Sequence, residues 1–103
     1  MDVTSKALPK GQARKLISKI LKDGLVGFAD PHLYNAMKDD VMSEVDVTNV
    51  LRGGQIVEEA EWENEAWRYR LHTPKFCVVV EFTSETSLVV ITTWRKKEKK
   101  AKR

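Results

Sequence analysis

The spacing of apolar residues changes along this chain from a helical period to a strand period, and this change limits the folds open to it. In residues 10–23, apolar side chains recur every three or four positions, which is typical of an amphipathic helix. After the glycine pair at 53–54, apolar and polar residues alternate, which is typical of strands. Helices first and strands afterwards predict an α+β fold.

The first half of the chain carries signals for three helices. Gly24 predicts the end of the first helix, and Asp30 with Pro31 predicts the N-cap and first residue of the second. The stretch SEVD at 43–46 has the spacing of a capping box and predicts the start of a third, short helix. The glycine pair at 53–54 predicts its end, where a left-handed residue is common.

The second half predicts a meander of strands. The segments that alternate, or that are rich in β-branched and aromatic residues, are 55–61, 66–72, 76–82 and 88–94. Their short connections imply antiparallel hairpins. The apolar stretch at 25–29 is either a connection or an edge strand. We therefore expect two or three N-terminal helices packed on one face of a mostly antiparallel sheet of three to four strands.

Composition predicts one globular domain over residues 1–94. The chain has 103 residues, of which 42% are apolar and 32% charged. No stretch approaches the ~20 apolar residues of a membrane span, and the N-terminus lacks the apolar segment of a signal peptide. The single cysteine, Cys77, has no partner for an internal disulfide and is expected to be a buried small hydrophobe. These features predict a cytoplasmic protein.

Basic residues are concentrated in a C-terminal tail, 95–103. The tail holds seven of the 18 basic residues and one of the 15 acidic ones. Subtraction leaves 11 basic and 14 acidic residues in 1–94, a net charge of −3. Such a tail either attracts nucleic acid by releasing counterions or is a flexible, solubilising end. In the first case the residues expected to contact nucleic acid are Lys96, Lys97, Lys99 and Lys100.

A row of nitrogen-bearing side chains is predicted on one face of the strand that follows the turn near Asn64. Arg68, Arg70 and His72 occupy alternate positions and would share that face. Arginine binds phosphate through a forked set of donors, and imidazole transfers protons near neutral pH. Arg68 and Arg70 would also suit a solvated sheet face with cross-strand partners such as Glu58 or Glu81, and His72 would also suit a polar strand end.

Other side chains have competing interpretations. Trp94, at the end of the last strand, either covers the core or stacks on a nucleobase. His32 is expected to anchor a contact between the second helix and the sheet. The five glutamates of 58–65 are expected on a solvated edge or hairpin. Because phosphate-loop, dinucleotide-binding and zinc-ligand spacings are lacking, neither a cofactor nor a metal is expected.

Two stretches give the chain a resemblance to a known group of proteins. They are HLYNAMKDDVMSEVDVTNVLRGGQIVEE at 32–59, and WRYRLHTPKFCVVVEF at 67–82 with LVVITTWRKK at 88–97. In these stretches the chain resembles small bacterial proteins near the MqsR and BrnT toxins, within the RelE-like group of ribonuclease folds, and an uncharacterised family beside them. The resemblance implies a RelE-like fold, metal-independent cleavage of mRNA and an antitoxin as protein partner.

Two functional hypotheses follow. The first is a toxin-like endoribonuclease of the mRNA interferase type, in which the ribose 2′-hydroxyl attacks the phosphate. His72 would transfer the proton, Arg70 and Arg95 would stabilise the phosphorane, and Arg68 with the tail lysines would bind RNA. Arg95 is included because the resemblance implies that Arg95 or Lys96 approximately matches the C-terminal lysine position of MqsR-like proteins. The second hypothesis is a non-catalytic module on the same scaffold that binds nucleic acid or protein.

Overall fold

The computed structural model describes residues 2–96, and within them lie three helices and five strands. The helices are α1 (Lys10–Asp23), α2 (His32–Asp39) and α3 (Glu44–Gly53). The strands are β1 (Leu25–Phe28), β2 (Glu61–Glu63), β3 (Ala66–His72), β4 (Phe76–Ser84) and β5 (Ser87–Arg95). The predicted α+β class is confirmed. No helix in this part of the chain is long and apolar enough to cross a membrane.

The five strands form one mixed sheet in the order β1-β5-β4-β3-β2. Strands β2 to β5 are an antiparallel meander, as the short connections predicted. The edge strand β1 instead runs parallel to β5, with Leu25 opposite Ser87 and Phe28 opposite Val90. The sheet therefore exceeds the predicted three to four strands, since the stretch at 25–29 supplies an edge strand rather than a connection.

The predicted strand at 55–61 is wrong except at its two end residues, Gln55 and Glu61. Gln55 makes an isolated bridge with His72, and the two residues exchange backbone hydrogen bonds of 2.9 and 2.8 Å. The chain then leaves the sheet, and β2 begins only at Glu61. Asn64 and Glu65 form the turn into β3 with φ of 51° and 64°, the backbone that a two-residue hairpin turn of type I′ requires.

Three helices cover one face of this sheet. Ile17 of α1, Leu33 of α2 and Leu51 of α3 are fully buried in one cluster with Tyr69 and Val80 of the sheet. Successive side chains of a strand point to opposite faces, so the neighbours of Tyr69 lie on the other side. We call that other side, which carries Arg68, Arg70 and His72, the open face.

Two of the predicted helix boundaries are confirmed by their hydrogen bonds. The backbone N–H of Gly24 donates to the carbonyl oxygen of Ile20 at 2.7 Å and closes α1. At the start of α3, the Asp46 N–H donates to Ser43 Oγ at 3.1 Å, and the Ser43 N–H donates to Asp46 Oδ2 at 2.9 Å. This reciprocal pair is the capping box that the SEVD spacing predicted.

Two other predictions about helix ends are wrong. Pro31, not Asp30, occupies the N-cap of α2, and no side chain caps that helix. Gly54 ends α3, but its φ is −72°, so it is not left-handed. The position favours glycine because a Cβ there would lie 2.6 Å from the Val50 carbonyl oxygen and 3.3 Å from the His72 carbonyl oxygen.

Candidate functional site

The row predicted on β3 is present on the open face. Tyr69 and Leu71 are 1% and 0% exposed on the helix side, so Arg68, Arg70 and His72 lie on the other side. The hydroxyl of Tyr69 accepts a 2.8 Å hydrogen bond from the Leu8 N–H. Burial raises the pKa of this phenol, and that hydrogen bond partly opposes the rise. The row therefore lies on a strand whose other face is buried in the hydrophobic core.

Two members of the row make close polar contacts with glutamates. Arg70 Nη2 lies 2.9 Å from Glu61 Oε1. His72 Nε2 lies 2.8 Å from Glu58 Oε1 and 3.0 Å from Oε2. The imidazole is largely covered, since its side chain is 17% exposed. Glu58, which was expected as a partner of the arginines, contacts His72 instead.

The third member, Arg68, lies between two carboxylates at longer range. Its Nη1 is 3.5 Å from Glu63 Oε1, and its Nε is 3.6 Å from Glu81 Oε2. Arg68 Nε and Glu81 Oε2 are both buried without a hydrogen-bond partner in the described part of the chain. Every side chain of the row thus faces a carboxylate, and the positive charge that the two arginines offer to a phosphate on β3 is much reduced.

A β-bulge in β5 reverses the faces of the last residues of that strand. Val80 pairs with Val90, but the preceding residue, Val79, pairs with Thr92, so Ile91 is an extra residue in β5. A shift of one residue moves every later side chain to the other face. The residues after Ile91 therefore have the opposite orientation from the one that continued alternation would give.

The bulge places Trp94 on the open face. Trp94 pairs with Cys77, which in turn pairs with His72 on the neighbouring strand. The indole is 37% exposed. The interpretation in which Trp94 covers the core is therefore wrong, because the core lies on the other side of the sheet.

The bulge also moves Arg95 away from the row. Arg95 pairs with Phe76 on the helix side, and its guanidinium lies 4.9 Å from the centroid of that ring. Its backbone N–H donates to Asp40 Oδ2 at 2.9 Å, and its Nε and Nη2 donate to the carbonyl oxygens of Asp40 and Val41 at 3.1 and 3.0 Å. Arg95 therefore fastens the end of β5 to the end of α2, on the face opposite Arg70.

This anchor is the first residue of the tail, and Lys96 follows it. The Lys96 N–H donates to the Lys75 carbonyl oxygen at 2.7 Å, so the first tail lysine has a fixed backbone position. The remaining predicted nucleic-acid contacts, Lys97, Lys99 and Lys100, lie outside the described residues.

Cys77 lies under the open face and is fully buried with a free thiol. Burial is the main cause that raises the pKa of this thiol to about 11, and the nearby Glu58 carboxylate raises it further. Arg70 and Lys96 oppose the rise, which places the charge of Lys96 within electrostatic range of this face. Cys77 is therefore a buried small side chain, as expected, and not a nucleophile.

The open face contains a pocket of about 490 Å³. Val79 and Ile91 give it apolar surface, and Trp94 contributes an aromatic one. Arg68 and Arg70 line it together with the following polar residues: His32, Glu61, Glu63, Asn64 and Thr92. The pocket therefore combines an aromatic ring with both donor and acceptor groups.

Three lining residues were not assigned to a site from the sequence. His32 was expected to anchor a helix–sheet contact, yet its side chain is exposed and lines the pocket. Glu61 and Glu63 were expected on a solvated edge or hairpin, and both are exposed on the edge strand β2, as expected. The two-residue turn at Asn64 and Glu65 pairs Glu61 with Arg68, and this register places the acidic residues of β2 against the row. Because the length of a hairpin turn sets the register of its strands, a two-residue turn at Asn64 would have predicted this pairing from the sequence.

Comparisons with known proteins found no match to this chain. No family model matches the chain, and neither a curated protein nor a solved structure matches it. Residues 2–96 contain no cluster of three or more His, Cys, Asp or Glu side chains able to hold a metal ion. The resemblance to the MqsR and BrnT toxins therefore rests on the residue pattern alone.

Proposed function

We propose that this chain is a non-catalytic nucleic-acid-binding module of the cytoplasm in which the C-terminal tail supplies most of the affinity. The observation that carries the proposal is the pairing of Arg68, Arg70 and His72 with carboxylates. This pairing leaves the tail as the main excess of positive charge, since seven basic residues there accompany one acidic residue. Polyanions bind such a segment by releasing condensed counterions, so affinity falls steeply with salt.

The test is the salt dependence of binding to a labelled single-stranded RNA. Truncation after Lys96 removes five basic residues while keeping the Arg95 anchor. If each of the five contacts a phosphate, the log–log slope should become shallower by about three to four units. The matched control removes five other exposed lysines by Lys→Gln substitution, at positions 6, 15, 19, 22 and 38. Equal slopes for truncated and full-length chains would refute the proposal.

The second candidate is the toxin-like endoribonuclease that the resemblance implies. It is supported by the contact between the His72 imidazole and the Glu58 carboxylate, 2.8 Å apart, on the face that also carries Arg70. Attack by a 2′-hydroxyl group needs a base, an acid and a cation for the phosphorane, and these three side chains are of those types. On this proposal the scaffold is a RelE-like fold, and an antitoxin would cover the open face.

Cleavage of single-stranded RNA in EDTA tests this candidate. His72→Gln and Arg70→Gln should each abolish the formation of cyclic-phosphate ends, whereas Arg52→Gln, on α3, should leave it unchanged. RNA that stays intact at high concentration of the native chain would eliminate the candidate and leave the binding module.

A further inference from the structure

The pocket of the open face is lined on one side by Trp94, an aromatic side chain that does not pack in the hydrophobic core. The indole of Trp94 stays 37% exposed because the bulge at Ile91 turns it away from the core. Next to it lies Val79, which is 5% exposed. The volume of about 490 Å³ falls within the range of about 300–1,000 Å³ typical of small-ligand sites.

The polar part of the pocket carries both kinds of hydrogen-bonding group. Arg70 and Arg68 offer N–H donors, and Glu61 and Glu63 offer acceptors. A simple anion would be repelled by the carboxylates, and a simple cation by the guanidiniums. A flat ring with donors and acceptors along one edge would satisfy both, and a nucleobase has this combination.

We propose that the pocket binds a nucleobase of a single-stranded nucleic acid, stacked on Trp94, with the polar edge of the base directed to Arg70 and Glu61. This inference rests on the proposed nucleic-acid-binding function and adds that the nucleic acid is single-stranded. Bases within a duplex are already stacked and paired, so the pocket selects single strands. Lys96 lies two residues after Trp94, so the phosphates flanking the bound base would meet the first tail lysine.

The experiment compares two exposed tryptophans. Trp94→Ala should weaken binding of a mixed-sequence single-stranded oligoribonucleotide about 5- to 150-fold, the effect of losing one stacked base. The slope of affinity against salt should not change, because no phosphate contact is lost. Trp62→Ala is the matched control: Trp62 is 56% exposed and packs edge-on against Trp67, away from the pocket. Trp94→Phe should keep most of the affinity.

A second measurement works even if Trp94→Ala does not fold. Titration of the native chain with the same oligonucleotide should shift the indole N–H resonance of Trp94 and leave that of Trp67, which is hydrogen-bonded to the Ser5 carbonyl oxygen, unchanged. A DNA oligonucleotide and a duplex provide the comparison arms, and the duplex should shift no indole signal.

The outcomes separate the two proposals. If the tail truncation lowers the salt slope but Trp94→Ala binds like Trp62→Ala and the Trp94 resonance does not move, the pocket inference is overturned while the binding function stands. If the native chain binds no nucleic acid at low salt, both are overturned.

Discussion

The two adjacent glycines at the end of α3 should respond to alanine in opposite directions. A Cβ added to Gly54 would lie 2.6 Å from the Val50 carbonyl oxygen, 3.1 Å from Val50 Cγ1 and 3.3 Å from the His72 carbonyl oxygen. A Cβ added to Gly53 would meet nothing within 4 Å. Both glycines have negative φ, so backbone conformation does not separate them. The difference therefore isolates the close approach of Gly54 to Val50 in the last turn of α3 and, at 3.3 Å, to the His72 carbonyl oxygen of β3.

The magnitudes follow from these distances. Gly53→Ala restricts the unfolded chain without a clash and should stabilise the fold by about 0.4–1 kcal/mol. Gly54→Ala must displace backbone atoms at the Val50 carbonyl, and overpacking of this kind typically destabilises by about 1–3 kcal/mol. With about 4–8 °C per kcal/mol for a domain of this size, the Gly54→Ala variant should melt about 4–24 °C below the native chain.

Thermal and urea unfolding of the two variants provide the assay. Gly54→Ala should also disturb the bridge between Gln55 and His72, which NMR would detect as loss of slow exchange at the His72 amide. If Gly54→Ala proves as stable as Gly53→Ala, Gly54 does not approach the carbonyl oxygens of Val50 and His72 as closely as these distances require.

Three further variants or probes test other contacts. Tyr69→Phe removes the acceptor of the buried Leu8 N–H and should destabilise by about 1–3 kcal/mol in urea unfolding; an unchanged midpoint would deny that contact. Val41 has φ of 54°, which strains a β-branched residue, so Val41→Gly should stabilise by about 1 kcal/mol; a lower midpoint would contradict the strain. Cys77, with a pKa of about 11, should react with iodoacetamide at neutral pH only after unfolding; rapid labelling of the folded chain would contradict its burial.

The elements that the sequence predicted well are those whose signals are local. The bounds 10–23 of α1 follow from a helical period that ends at Gly24, and both were confirmed. The capping box at Ser43 was confirmed for the same reason, because its two hydrogen bonds join residues three positions apart. Helical contacts lie within one or two turns, so a single stretch of sequence contains both partners.

The features that could not be predicted depend on distant partners. Strand β1 pairs with a segment 62 residues later in the chain, and the local sequence LVGF does not indicate which strand it pairs with. The segment 55–61 alternates like a strand, yet only its end residues, Gln55 and Glu61, pair with the sheet. The row on β3 was predictable, because alternation within one strand sets it. The pairing of the row with carboxylates could not be predicted. Three of the carboxylate partners come from residues 58–63, and the sequence did not show where this segment runs relative to β3.

The bulge at Ile91 determines which side chain of β5, Trp94 or Arg95, lies on the open face beside the row. With unbroken alternation, Arg95 would share the face of Arg70, and a third guanidinium would favour a phosphate site. The extra residue exchanges the two side chains, so that Trp94 faces the pocket and Arg95 binds Asp40 on the other side. A single inserted residue thus converts a cationic wall into an aromatic one. For this reason, the open face is better suited to stacking a base than to holding a phosphate.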